Sequence, residues 1–214
     1  GIIIDHIPVS NQTKVLDLAC GKGAVSVNLA SEFRFLVKGI DIIPEFIDFA
    51  INKSKEFGVG ELCEFVVGDI TESVKIEKGY DIVILGAVGD VLGKPEETII
   101  LLKNTVKKGG YIIIDDAYGK DNTDAKYLTK NQWLKIFKNT GVRLIDEKII
   151  EDDELASIND QQQEFIVKRA NELKKELPEK AHLFESYINS QQAECDEMEN
   201  EIVGVTFLLQ VMNI

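Results

Sequence analysis

The residues near the start of the chain best equipped for chemistry are Asp17, Gly21 and Gly23, inside VLDLACGKGAVS at 15–26. Asp17 is a carboxylate placed within an apolar run, where burial is costly unless donors meet it. Glycines two apart, directly after such a run, let the backbone come close to a ligand. The chemistry this suggests is capture of a nucleotide-like cofactor. G-x-G alone is a weak signal. A dinucleotide fingerprint adds a third small residue, usually Gly, three after the second glycine, and here that place holds Ser26. Asp17 would repel a pyrophosphate, but it would accept from a ligand ammonium or from turn amides. Asp41 ends the next apolar run, twenty residues after Gly21. Its carboxylate can take two hydrogen bonds from ribose hydroxyls, a feature that NAD and adenosyl cofactors share.

Such residues need a scaffold, and the pattern predicts one. Strand-like and helix-like segments alternate as far as residue 141: strands over 14–19, 34–41, 63–69, 80–86 and 111–116, and helices over 24–33, 43–58, 94–110 and 129–141. Pro44 and Pro95 suit first helical turns, and Gly58 and the Gly109–Gly110 pair read as helix stops. Thr129 with Gln132 reads as a capping box, with Gly141 as the stop. Apolar strands separated by helices imply a parallel sheet covered on both faces. The expectation is therefore an α/β, doubly wound, seven-stranded and mostly parallel sheet with a reversed last strand. Segments 142–152 and 201–212 read as its last two strands. Between them lies a helical insertion that Pro178 splits into two helices, and Phe184, Ile188, Cys195 and Met198 share one face of the second, with Gln191 or Gln192 filling the gap.

Composition narrows the partners. The 214 residues carry a net charge of −13, which disfavours DNA, RNA and anionic membranes. Residues 151–201 hold 15 acidic against 5 basic side chains, which reads first as a solvated helical face. No apolar run reaches membrane-span length and no signal-peptide pattern is present. Cys20, Cys63 and Cys195 form no CxxC pair, so a reducing, cytoplasmic setting is expected rather than a structural metal site. The first residue is Gly1, so a preceding piece is expected to have been removed or left out.

VLDLACGKG resembles motif I of the class I S-adenosylmethionine-dependent methyltransferases, written D-x-G-C-G-x-G, with Ala19 in place of its first glycine. GIDIIPEFIDFA, EFVVGDI, YDIVILGAVGDVLG and LLKNTVKKGGYIIIDD resemble, in order, the motifs that follow. The resemblance covers nearly the whole chain apart from the helical insertion. It implies S-adenosyl-L-methionine as cofactor, held by Asp17, Ala19, Gly21 and Gly23. Asp41 is implied as ribose ligand and Ile42 as adenine contact. Asp69 would bond the adenine amino group, Ile70 would cover the ring, and Gly86 and Ala87 would flank the methionine portion. It also implies one methyltransferase domain over 1–214, acting on a small-molecule acceptor, with 153–200 as a substrate cap. The alternative uses of those helices are dimerisation into a homodimer and simple coverage of the sheet edge.

The catalytic group is left open. Asp90, Asp116 and Tyr118 fall at the ligand edge by topology and could orient a substrate; His182 lies in the insertion, and His6 in the lead-in. Asp90 with Asp115 or Asp116 could suggest a metal as in catechol-type O-methyltransferases, but that family's further ligands are not evident, and no metal is expected. Cys20 reads as a packed small residue. The competing readings are an NAD-dependent oxidoreductase and a non-catalytic adenosylmethionine-binding module.

Overall fold

The structure, a computed structural model, describes residues 2–8, 10–86, 88–120 and 127–212. In chain order the elements are α1 (Ile2–His6), β1 (Lys14–Leu18), α2 (Ala24–Phe33), β2 (Leu36–Asp41), α3 (Pro44–Glu56), β3 (Cys63–Val67), α4 (Ile70–Ile76) and β4 (Tyr80–Leu85). They continue with α5 (Pro95–Lys103), β5 (Val106–Gly119), α6 (Lys130–Thr140), β6 (Val142–Ile149), α7 (Asp152–Glu176), α8 (Ala181–Glu201) and β7 (Ile202–Val211). The seven strands form one sheet in the order β3-β2-β1-β4-β5-β7-β6. β1 pairs in parallel with β2 and β4, β2 with β3, and β4 with β5. The order reverses beside β1, and a doubly wound sheet binds ligands at the carboxyl ends of the strands at such a point.

β7 is the reversed strand. Thr206 at its middle bonds Asp115 in the second half of β5, and Gln210 near its end bonds the Gly109 carbonyl in the first half of β5. Against β6, Met212 N–H donates to the Gly141 carbonyl and Ile150 N–H to that of Gly204.

The central strands read as apolar because both faces are covered. Val15, Leu16, Leu18, Ile82, Val83, Ile112, Phe207 and Leu208 are buried, and each such side chain contributes about 1.5–3 kcal/mol. α6 adds an aromatic cluster in which the Trp133 and Phe137 rings stand 5.1 and 5.2 Å from that of Phe207.

One predicted helix needs correction. The segment 94–110 is helical only over α5, which ends at Lys103, and a strand begins at Val106. Thr105 closes the helix by donating its hydroxyl to the Leu102 carbonyl. Gly109 and Gly110 are therefore not a helix stop. Tyr80 faces Val106 while Ile82 faces Tyr111, so β5 carries extra residues there as a bulge. Gly109 has φ +75°. A Cβ on Gly110 would stand 2.9 Å from the Lys107 carbonyl oxygen and 3.0 Å from that of Asp81. Apolar spacing did not reveal the bulge, and it gave no sign of the short helices α1 and α4. Arg34, expected in the second strand, instead caps α2 at φ +60°.

The chain divides into two compact units. The first holds 1–116, 131–148 and 206–214; the second holds 117–130 and 149–205. Within the second, α7 and α8 form an antiparallel hairpin. Lys174 pairs with Glu185 at 3.3 Å, Gln163 Nε2 donates to the Ile188 carbonyl and Asn159 Nδ2 to Glu199 Oε1. The stripe of Phe184, Ile188, Gln191, Cys195 and Met198 is half-buried along its length. Among the described residues no helix is long and apolar enough to cross a membrane.

Candidate cofactor and acceptor site

The turn after β1 is built from left-handed residues: Ala19 at φ +56°, Gly21 at +54° and Gly23 at +75°. Gly23 N–H donates to the Cys20 carbonyl at 2.9 Å, and the Gly23 carbonyl accepts from Val27, opening α2. The two glycines differ in purpose. A Cβ on Gly23 would lie 2.8 Å from Ala50 Cβ and 3.0 Å from the Phe65 ring, whereas one on Gly21 would meet nothing within 4 Å. Gly23 is required by packing. Gly21 faces open space, and its bare backbone is the surface a ligand can approach. Gly39 on β2 is a third constrained glycine: its Cβ would stand 2.7 Å from Phe65 and 2.9 Å from Cys20 Sγ.

Asp41 closes the turn from the next strand. Its Oδ2 accepts from Gly21 N–H at 2.8 Å and its Oδ1 from Ile43 N–H at 2.9 Å. The carboxylate is buried, and it fixes the position of the loop whose open side Gly21 provides.

Asp17 is 4% exposed. Ser26, the residue that breaks the dinucleotide pattern, gives its hydroxyl to Asp17 Oδ2 at 2.6 Å. Burial pushes the Asp17 carboxyl up to about 6; bonds from Ser26 oppose the shift, and the charge of Asp41 adds to it. A buried acid so short of donors is one that a ligand's positive group would stabilise. Burial, with the charges of Asp17 and Asp41, also pushes the Cys20 thiol up to about 12, so that sulfur is no nucleophile.

At the ends of β2 and β3, Ile42 is 66% exposed, and Ile43 and Val67 are also open. Val67 is paired with Asp41, so these side chains rim one edge as an apolar platform. Asp69 caps α4. Its Oδ1 accepts from the Thr71 amide and hydroxyl, both at 2.8 Å, and those bonds hold its carboxyl below the usual range. Both bonds fall on Oδ1, so Oδ2 is the atom a ligand donor would use. Ile70 is 6% exposed and faces the core.

Farther along the edge, Gly86 follows β4, and a Cβ there would stand 3.2 Å from Asp115 Oδ2. Asp115 Oδ1 accepts from the Thr206 hydroxyl at 2.6 Å. A cavity of about 30 Å³ lies here, lined among others by Leu85, Asp90, Asp115, Asp116 and Trp133. It brings together Asp90 and Asp116, expected from the sequence, with Asp115, whose partner Thr206 the sequence did not reveal. Tyr118 and His182 belong to the other unit. There Tyr118 is buried beneath Lys130, whose Nζ stands 5.7 Å from the ring centre, and His182 is exposed on α8. Ala87 lies outside the described residues. Among the described residues no three His, Cys, Asp or Glu side chains group as a metal site.

With this geometry, residues 9–203 match the family model described as methyltransferase domain. The chain belongs to that family. Its sheet is the sheet of the class I methyltransferases. An S-adenosylmethionine-dependent methyltransferase from Thiobacillus denitrificans, solved in complex with S-adenosyl-L-homocysteine, superposes with a TM-score of 0.80 at 19% identity, covering 95% of this chain and 86% of that one. YjhP from Escherichia coli superposes with a TM-score of 0.84 at 17% identity, covering 99% and 91%. In sequence, this methyltransferase domain is 24% identical over 168 residues to malonyl-[acyl-carrier protein] O-methyltransferase of Halalkalibacterium halodurans, which is 64% of this chain and 59% of that protein. The domain thus spans less than two thirds of the length of the curated relatives it matches first.

Proposed function

We propose that this chain is an S-adenosylmethionine-dependent methyltransferase acting on a small-molecule acceptor. The observation that carries the reading is the β1 turn: Asp41 holds Gly21 in place, and Gly21 presents bare backbone to open space at the switch point of the sheet. The family match is its second support.

The residues fit the cofactor. Asp41 spends one acceptor direction of each oxygen on the loop and keeps the others for ribose hydroxyls. Asp69 Oδ2 suits the adenine amino group, and Ile42 with Val67 suits the face of the ring. Asp17, pushed toward its neutral form by burial, gains from a nearby cationic group. When bound, the cofactor supplies a methyl group on a sulfonium that is its own leaving group. The chain's task is then to align the acceptor and exclude water. Asp90 and Asp116, on the cavity between β4 and β5, would orient the acceptor. Residues 153–200, the long helical connection between β6 and β7, would serve as the substrate cap. Three unpaired cysteines suit a reducing cytoplasm, and the net charge of −13 argues against a nucleic-acid partner.

Calorimetry with S-adenosylhomocysteine and NADH tests the proposal. The expected outcome is micromolar-range binding of the former and none of the latter. Asp41→Ala should weaken binding ~10- to 100-fold, from two lost charge-assisted hydrogen bonds and the freed loop. Replacing 153–200 with a short turn should largely keep that affinity while methyl transfer collapses. Tight NADH binding without adenosylhomocysteine binding would refute the cofactor assignment, and normal transfer by the deletion variant would refute the cap.

A further inference from the structure

This inference deepens the methyl-transfer reading and rests on it. Ribose and adenine positions fall to β2 and β3, at Asp41 and Asp69. The reacting end must therefore lie on the other side of the β1 turn, at β4 and β5. There the chain ends β4 in a glycine and sets a carboxylate against it. Asp115 Oδ2 is 3.2 Å from the place a Gly86 Cβ would occupy, so any side chain at position 86 would crowd it. Its other oxygen is fixed by the Thr206 hydroxyl at 2.6 Å. Asp115 is exposed, so the arrangement does not serve a buried core. The cavity beside it is lined by Asp90, Asp115 and Asp116 with Thr98 and Trp133, and among the described residues of its wall there is no Lys, Arg or His. An anionic acceptor would be repelled by the Asp115 carboxylate, whereas N–H donors and ammonium groups would meet an acceptor in it.

We propose that Asp115, oriented by Thr206, binds the acceptor's amino group and selects an amine as the methyl acceptor. Asp115 takes one proton from the bound ammonium and passes it to water, which frees the nitrogen lone pair. The nitrogen then forms the N–C bond as the methyl–sulfur bond breaks with its electrons staying on sulfur, leaving a protonated N-methylamine and a thioether. Thr206 is the positioning residue; Asp115 touches the substrate.

Trp133, the chain's single tryptophan, lines the cavity and reports on it by fluorescence. The test titrates n-propylamine, 1-propanol and propionate into protein loaded with S-adenosylhomocysteine. The amine should perturb Trp133 emission at millimolar concentration, with propanol weaker and propionate without effect. Asp115→Asn should lose ~10-fold or more of the amine affinity. Thr206→Val should lose a few-fold, and Thr206→Ser should restore it, which mere damage to β7 would not produce. Adenosylhomocysteine affinity should stay unchanged in all three variants, reporting that they are folded. Propionate binding as well as propylamine, no response to the amine, or an amine response that survives Asp115→Asn each overturns the inference. Failure of adenosylhomocysteine to bind the wild type overturns the methyl-transfer reading, and the inference falls with it; normal adenosylhomocysteine binding without amine preference overturns the inference alone.

Discussion

Along one edge of the sheet, β1 to β3 end in turns whose shape is carried by the backbone, while β4 and β5 end beside side chains gathered from distant parts of the chain, one of them on the reversed strand β7. On the first side the decisive features are three left-handed residues and a carboxylate that accepts two amides. On the second they are an exposed aspartate and a threonine 91 residues away in sequence. A cofactor shared by a large family can be held by fixed backbone. An acceptor that differs between relatives is met by side chains, which can change without disturbing the turn. The first side should therefore be intolerant in its fold, and the second tolerant in its fold but sensitive in its chemistry.

Gly23 offers the largest test. Gly23→Ala adds left-handed strain of ~1–2 kcal/mol and a clash with Ala50 and Phe65 of ~1–3 kcal/mol. A loss of roughly 3 kcal/mol should lower the melting temperature by about 10 °C. Gly21→Ala meets no clash, so it should lose only about 1 kcal/mol while adenosylhomocysteine binding suffers more. If scanning calorimetry finds the two equally destabilised, the division between a packing glycine and a ligand glycine is wrong.

Asp17 gives the next effect, seen as pH dependence. Its folded carboxyl titrates near 6, above the unfolded value of 3.8. The folded state therefore binds its proton more tightly. The stability this contributes is fully present below 3.8 and is lost as pH rises through 6. At neutral pH the ionised carboxylate costs about 3 kcal/mol relative to the unfolded chain. Asp69 and Glu77, both held low, act in the opposite direction, so the comparison must be with Asp17→Asn. The wild type should lose about 1–2 kcal/mol more than Asp17→Asn between pH 5 and 7.5 in urea titrations. Parallel pH profiles would show that Asp17 is not the strained acid described here.

How much was legible follows the same division. The alternation of apolar runs gave the sheet, and the spacing of Asp17, Gly21, Gly23 and Asp41 gave the turn, because these features are local and backbone-driven. The bulge at Gly109–Gly110 was misread as a helix stop: a glycine after an amphipathic run serves either purpose, and the choice depends on how β4 pairs with β5. Ser26 was read as a departure from one motif, although its hydroxyl is the donor Asp17 required. Asp115 was weighed only as a metal ligand, since its partner Thr206 arrives on a strand after a long insertion and no spacing rule connects them. Tyr118 falls at the ligand edge by topology alone, and what topology does not show is that its ring is buried, on a strand that runs on to Gly119.

Ala19 carries the smallest predicted effect and the finest test of the turn. It occupies the one place where the chain departs from the motif's glycine, and it adopts φ +56°, a conformation that disfavours a Cβ by ~1–2 kcal/mol. Ala19→Gly removes that strain. It also frees the unfolded chain, at ~0.5–1 kcal/mol, and exposes what a half-buried methyl had covered, at about 0.4 kcal/mol. The terms leave a net change between a loss of about 0.4 and a gain of about 1 kcal/mol, at most about 4 °C in melting temperature, with adenosylhomocysteine affinity unchanged. Ala19→Val, which forces a β-branched side chain into the same conformation, should instead lose more than about 2 kcal/mol. A glycine variant clearly less stable than wild type, or a valine variant as stable as it, would mean that the turn relaxes to another backbone path, and that the tolerance at position 19 comes from a flexible loop rather than from a strained but fixed one.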